Sequence, residues 1–266
     1  MSSNVPVKVV LRISSVGFFN ATPLVYGLTD DPALRLRFAV PSELLSDLEQ
    51  KRADVALLPV IDFQRLDGLR VIPVGGIACD GPTLTVRLFS KTPINQTTRL
   101  AADTDSHTSV VLARVLLDRL YGLRPQIVPL DQAADLPGET RLLIGDKVVC
   151  QEPQGFPHQL DLGQAWKEMT GHPFVFAVWM ARDGVELGDL PQRLTRAREQ
   201  GLQHVNELIE RFAVPRGWPV ETARLYLTSY LQFSITPRHI QAIELYHKLA
   251  YGTGTLNQPP TPLRFV

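Results

Sequence analysis

The sequence predicts a two-lobed α/β protein with a ligand cleft between its lobes. Strand and helix signals alternate through the first half, as they do in a sheet covered by helices. Strong strand patterns at 84–90 and 175–180 stand where the chain would cross from one lobe to the other. The last third reads as helix alone. On this reading residues 1–90 and 180–266 form lobe I, which holds both termini, and residues 91–179 form lobe II.

The first strand is the apolar, β-rich run at 7–13. Thr22-Pro23 follows as an expected N-cap with proline at the first helical position. Residues 34–40 read as a second strand. Pro41-Ser42-Glu43 opens an amphipathic helix, with Ser42 as its cap and Leu44, Leu45 and Leu48 on one face. A short buried strand at 54–58 ends at Pro59. This β-α-β-α order predicts a mostly parallel sheet. Leu84-Thr85-Val86-Arg87-Leu88-Phe89-Ser90 alternates like a strand, and Lys91-Thr92-Pro93 breaks it.

Residues 99–102, 126–130 and 141–144 read as further strands and 108–121 as a helix. After the strand at 175–180, residues 190–213 carry Leu194, Ala197, Leu202, Val205, Leu208, Ile209 and Phe212 at near-helical spacing. Two more helices are expected at 221–232 and 237–249, with His247 as a surface residue. The Gly- and Pro-rich stretch 252–266 reads as a surface tail.

Composition narrows the function. Lys and Arg number 27 against 27 Asp and Glu, so no excess of positive charge favours nucleic acid as a partner. No apolar run reaches the ~20 residues of a membrane span, and Arg12 interrupts the one candidate for a signal-peptide core. Cys79 and Cys150 have neither metal nor redox spacing. These features together lead us to expect a cytoplasmic protein with reduced thiols and no membrane partner.

Four polar segments fall at strand ends, where open α/β sheets bind ligands. In Val16-Gly17-Phe18-Phe19-Asn20-Ala21-Thr22-Pro23, Asn20 either faces a ligand carboxylate or shapes the turn. Ser42 is the second candidate. The densest cluster is Asp103-Thr104-Asp105-Ser106-His107-Thr108-Ser109. Ser106, Thr108 and Ser109 put three hydroxyls at one helix start, which builds either an anion site or an elaborate cap. His107 sits in the same cluster as a candidate for proton transfer. In Leu142-Leu143-Ile144-Gly145-Asp146, Gly145 would let a ligand approach the backbone. Asp146 either orients a hydroxyl or caps the next helix. No His, Cys or Asp set has zinc spacing, so no metal site is expected. The G-x-S-x-G elbow and the G-x-x-x-x-G-K-[ST] loop are both missing. The residues therefore describe a site for a small carboxylate without announcing its chemistry.

Seven motifs in order resemble one family. They are Val16-Gly17-Phe18-Phe19-Asn20-Ala21-Thr22-Pro23-Leu24, Arg52-Ala53-Asp54-Val55-Ala56-Leu57-Leu58-Pro59, and the run from Gly81-Pro82-Thr83 to Phe89-Ser90. Asp105-Ser106-His107-Thr108-Ser109, Ile144-Gly145-Asp146, Asp161-Leu162-Gly163-Gln164-Ala165-Trp166 and Gly171-His172-Pro173 to Trp179 complete the set. The chain so resembles the MqnA/MqnD family of the futalosine route to menaquinone, closely over residues 8 to 180 and more loosely beyond.

The resemblance implies a fold like the class II periplasmic binding proteins and one of two activities. One branch dehydrates chorismate to 3-[(1-carboxyvinyl)oxy]benzoate; the other makes 1,4-dihydroxy-6-naphthoate. The run Pro173-Phe174-Val175-Phe176-Ala177-Val178-Trp179 resembles the first branch. Thr85 stands where the family more often has serine, which keeps a hydroxyl among the substrate contacts. Since loss of water makes the chorismate ring aromatic, the resemblance implies no cofactor. It leaves Asn20, Asp146 and His107 as catalytic candidates beside a substrate carboxylate that acts as its own base. Ser42, Thr85, Ser106, Thr108, Ser109 and Gly145 are the expected substrate contacts. The rival outside enzymes is a binding protein that carries a small acid without changing it.

Overall fold

A computed structural model of the chain describes residues 10–103, 106–133 and 138–266, apart from the Ser42 side chain. Two mixed sheets define the two lobes. The lobe I sheet is built from β1 (Leu11–Val16), β2 (Leu34–Ala39), β3 (Val55–Pro59), β4 (Leu69–Cys79), β10 (Phe174–Arg182) and β11 (Leu231–Gln232). Its order is β11-β4-β10-β3-β1-β2. The lobe II sheet uses β5 (Val86–Ser90), β6 (Arg99–Ala102), β7 (Gln126–Pro129), β8 (Glu139–Ile144) and β9 (His158–Asp161) in the order β7-β6-β8-β5-β9. The helices are α1 (Pro41–Glu49), α2 (His107–Tyr121), α3 (Asp146–Val149), α4 (Leu162–Thr170), α5 (Leu190–Gln203), α6 (Val205–Leu208), α7 (Val220–Leu225) and α8 (Pro237–Gly252). Among the described residues no helix is long and apolar enough to cross a membrane.

The crossings lie earlier than the sequence suggested. β5 pairs with β8 and β9, so Val86–Ser90 belongs to lobe II. β10 pairs with β3 and β4, so Phe174–Arg182 belongs to lobe I. The boundaries at 90 and 180 are corrected to the loops near 80–85 and 171–173. Alternation identifies both strands but cannot say which sheet takes them. Each of these two strands runs antiparallel to its neighbours, because each enters its sheet from the opposite lobe. Neither sheet is therefore the mostly parallel one expected.

Local chemistry accounts for several differences. Residues 19–25 form a 3₁₀ turn rather than a helix capped at Thr22, and the Thr22 hydroxyl donates to the Phe19 carbonyl at 2.8 Å. Pro23, which has no N–H and a fixed φ, suits such a short turn. α1 starts at Pro41 with Val40 in the cap position, so Ser42 is the second helical residue and not the cap. The expected helix at 190–213 divides into α5, α6 and a π-helical turn at Ile209–Ala213. That expected at 221–232 ends in a second π turn at Tyr226–Tyr230.

The lobes share one extensive core, in which Trp166, Phe174, Trp179 and Tyr246 are fully buried. α8 closes this core and joins the lobes, since the Tyr246 hydroxyl donates to the Thr108 carbonyl at the start of α2. His247, expected on the surface, is 1% exposed and bonds the Val60 carbonyl through Nε2 at 2.8 Å. It lies on the buried face of α8, four residues after Ile243 and beside Tyr246 and Ala250.

Candidate functional site

The carboxyl ends of β1 and β3 meet those of β6 and β8 across a cavity of about 360 Å³. That volume lies at the lower end of ordinary small-molecule pockets. Asn20, Thr85, Ser106, Thr108, Ser109, Gly145 and Asp146 all line it, so residues from both lobes converge on one space.

α2 supplies one wall of the cavity. Ser106 occupies its cap position with no side-chain cap bond, and Ser106 and Ser109 make no side-chain hydrogen bond to a described residue. A 15-residue helix begins here, and its cap residue Ser106 gives its first N–H groups no side-chain bond. The positive end of its dipole and two free hydroxyls therefore face the cavity together. Thr108 is different: its hydroxyl donates to the Phe176 carbonyl of β10 at 3.2 Å, which ties α2 to lobe I. Thr104 and Asp105 lie outside the described residues, and so does the Ser42 side chain.

His107 does not reach the cavity. Its Nδ1 lies 3.0 and 3.2 Å from the carboxylate oxygens of Asp62, a fully buried residue of lobe I that also pairs with Arg65 at 3.1 Å. Successive helical residues are rotated by about 100°, so a helix that turns 106 and 109 to the ligand turns 107 away. The candidate for proton transfer is thus an interlobe contact.

Asp146 opens α3 and faces lobe I. The Trp218 indole donates to Oδ1 at 2.6 Å, and the Arg216 guanidinium lies 3.7 Å from Oδ2. Arg216 also donates to the Gly17 carbonyl at 3.0 Å, on the loop that leads to Asn20. Asp146 is the first residue of α3 and not its cap, which is Gly145, and it lines the cavity. Gly145 has φ of 61° and ψ of −135°, a region that only glycine enters readily. A Cβ there would meet nothing within 4 Å, so backbone shape alone requires glycine.

Asp161 positions Thr85. Its carboxylate caps α4 by accepting from Gly163 and Gln164, and it accepts from Thr83 and Leu84 of the crossing loop. This clamp holds Leu84 at a positive φ of 65°, which an unsupported leucine would avoid. The next residue, Thr85, turns its hydroxyl to the Tyr226 hydroxyl at 2.8 Å. The turn that carries Asn20 is backed by α5, whose Gly201 lies so close to Pro23 that a Cβ would collide with the Pro23 carbonyl oxygen. The Asn20 amide oxygen is buried and accepts from no described residue.

Phe18, Phe19, Phe176 and Trp218 supply apolar wall, and the Trp218 ring lies 5.3 Å edge-on from Phe19 and 5.1 Å from Tyr226. Lys147 adds positive charge and pairs with Asp103 at 2.7 Å. Sequence reading missed Trp218, Tyr226, Arg216 and Lys147. Trp218 had a faint signal, an aromatic ring between Gly217 and Pro219 in a turn. The other three had none.

Fold and site define a two-lobed α/β protein with a cavity between its lobes, lined by hydroxyls and aromatic rings. The chain belongs to the menaquinone biosynthesis family, whose model matches residues 11–252. It is 30% identical to a chorismate dehydratase of Thermus thermophilus, over 73% of this chain and 78% of that one. A chorismate dehydratase of Campylobacter jejuni is 24% identical, over 79% and 80% of the two chains. A crystal structure of an Archaeoglobus fulgidus protein superposes with a TM-score of 0.72 at 17% identity, covering 92% of this chain and 98% of that one. The periplasmic aliphatic sulphonate binding protein of Escherichia coli superposes at 0.65 and 14% identity, covering 96% and 93%. The fold is thus that of periplasmic binding proteins, as the family resemblance implied.

Proposed function

We propose that the chain is a chorismate dehydratase of menaquinone biosynthesis and that it works in the interlobe cavity. The observation that carries this reading to the site is the pairing of a helix start, without a Ser106 cap bond, and the Ser106 and Ser109 hydroxyls with apolar walls. Chorismate offers a ring carboxylate, an enolpyruvyl carboxylate and a hydroxyl on one small ring. The two curated relatives, both chorismate dehydratases, favour this branch over 1,4-dihydroxy-6-naphthoate synthesis.

The reaction removes one ring proton and one hydroxide as water, and the ring becomes aromatic. The proton leaves the carbon that bears the enol ether, where the ring diene conjugates it with the ring carboxylate. Ser106, Ser109 and the α2 N–H groups hold one carboxylate, which fixes the ring against Phe19 and Trp218. Asn20 approaches from lobe I and meets the departing hydroxyl. Asp146, with Oδ1 engaged by Trp218, orients that hydroxyl, and the enolpyruvyl carboxylate takes the ring proton.

Incubating the purified chain with chorismate tests the function. The expected result is a new benzoate with loss of one water. Binding without turnover would instead leave the carrier reading standing, and turnover of only the naphthoate precursor would select the sister branch. Asn20→Ala tests the site. A group that acts mainly in the transition state loses turnover more than product affinity on truncation. A folded variant with both unchanged would remove Asn20 from the mechanism.

A further inference from the structure

We infer that Tyr226 is a positioning residue that fixes the Thr85 hydroxyl as a hydrogen-bond donor to the bound acid. The inference deepens the reading of the cavity as a dehydratase site and rests on it.

Tyr226 is 2% exposed and opens the π turn Tyr226–Tyr230. Wider π turns often mark functional sites, because they displace a side chain from the ordinary helical register. Its hydroxyl lies 2.8 Å from Thr85 Oγ1 on the lobe II side of the crossing loop. Asn20 of lobe I lines the same cavity. The phenol thus ties lobe I to a polar candidate on the crossing loop.

Donor counting gives the chain a direction. A bound carboxylate can only accept, and Thr85 lines the cavity, so the Thr85 hydroxyl proton goes to the acid. The Thr85 carbonyl is not the phenol's partner, since it accepts from the Gly145 N–H at 2.8 Å. Thr85 Oγ1 is then left to accept, and the phenol 2.8 Å away is its donor. Burial also pushes the Tyr226 phenol well above its usual range, which keeps it protonated across the working pH. The order Tyr226 to Thr85 to ligand lets the first bond polarise the second. Without the phenol, Thr85 would rotate freely and accept as readily as donate.

The test measures turnover of chorismate, product affinity by calorimetry and melting temperature for the full chain. The variants are Tyr226→Phe, Thr85→Val and the double variant. Tyr226→Phe should lower kcat ~10-fold and leave KM within ~2-fold, because the donor matters most where negative charge builds. Thr85→Val should lower kcat ~100-fold, and adding Tyr226→Phe should lower it no further. Thr85→Ser keeps the hydroxyl and should stay within ~5-fold of wild type while remaining sensitive to Tyr226→Phe. Multiplying effects in the double variant, or a lowered melting temperature with wild-type kcat in Tyr226→Phe, would overturn the inference. If Tyr226→Phe does not fold, a Thr85→Val protein with wild-type kcat and product affinity overturns it equally. Absence of any product from the wild-type enzyme counts against the dehydratase reading. In that case equal affinity of the wild type and Thr85→Val for the benzoate counts against the donor.

Discussion

Replacing His247 with glutamine should flatten the acid limb of the stability curve. The imidazole is buried, with Nε2 donating to the Val60 carbonyl at 2.8 Å and Nδ1 3.0 Å from the Gln64 side-chain nitrogen. That Gln64 nitrogen also donates to the Thr261 carbonyl, while its oxygen accepts from the Thr261 N–H. The tail therefore locks the amide and presents an NH₂ group to Nδ1. Only a neutral ring with its proton on Nε2 satisfies both neighbours; a second proton on Nδ1 would face another donor. Burial accordingly pushes His247 down to about 4, against a weaker upward pull from the Val60 carbonyl.

The sign follows from linkage. Above an unfolded value of about 6.5 the ring is neutral in both states, and its full contribution is present. Between that value and 4 the unfolded chain takes up the proton first, so stability falls as pH falls. Below 4 both states are charged and the slope ends. A shift of this size corresponds to about 3 kcal/mol, most of it lost by about pH 4.5. Urea unfolding of wild type and His247→Gln at steps from pH 8 to 4 gives the difference directly. His239, which burial also lowers, and Asp47, Asp54 and Asp80, which arginine and lysine partners hold low, tilt both curves alike. A wild-type-minus-variant difference that stays flat from pH 6.5 to 4.5 would refute the reasoning.

The two hydroxyls of α2 should separate. Ser109→Ala is expected to weaken product binding by the ~1.5–3 kcal/mol of a hydrogen bond to a charge, with little change in melting temperature. Thr108→Ala, which frees the Phe176 carbonyl, should lower melting temperature by more than it lowers affinity, and calorimetry beside thermal unfolding reads both. Trp218→Phe keeps the ring beside Phe19 but removes the N–H on Asp146, so turnover should fall ~10-fold with the fold intact; unchanged turnover would make the contact mere packing. Activity should survive exhaustive dialysis against a strong chelator, because aromatisation drives the loss of water; activity lost and then restored by one metal would sink that mechanism.

Much of the fold is legible because burial imposes a period. β3, β6, α2 and α8 are found within a residue or three of where the pattern puts them, the helices having one dominant apolar face and the strands being short buried runs. β4 is the largest omission, although it is the longest strand at 11 residues. Its Pro73, Gly75 and Gly76 read as breakers, yet the strand bulges against β10 between Val175 and Ala177 and again between Val178 and Met180. Bulges absorb what a regular ladder would reject. α4 and β9 were hidden similarly, because Asp161 ends one and caps the other within a few residues.

The site divides along a different line. Asn20, Ser106, Ser109, Gly145 and Asp146 were visible because strand-to-helix junctions carry local signatures: a cap residue, a hydroxyl cluster, a glycine before a carboxylate. Their partners were not, because nothing local distinguishes them. Tyr226 bonds a residue 141 positions away, and Trp218 one that is 72 away. In sequence Tyr226 lies in an ordinary helical stretch and Trp218 in a Gly-Pro turn, and only the fold brings them to the cavity. His107 shows the converse, since its place beside two candidate hydroxyls made it look catalytic. A helix separates neighbours in sequence by its turn, and the same rotation that aims Ser106 and Ser109 at the substrate sends His107 to Asp62. A motif at a helix start therefore carries its chemistry on every third or fourth residue, and the residues between them belong to the scaffold that holds the lobes together.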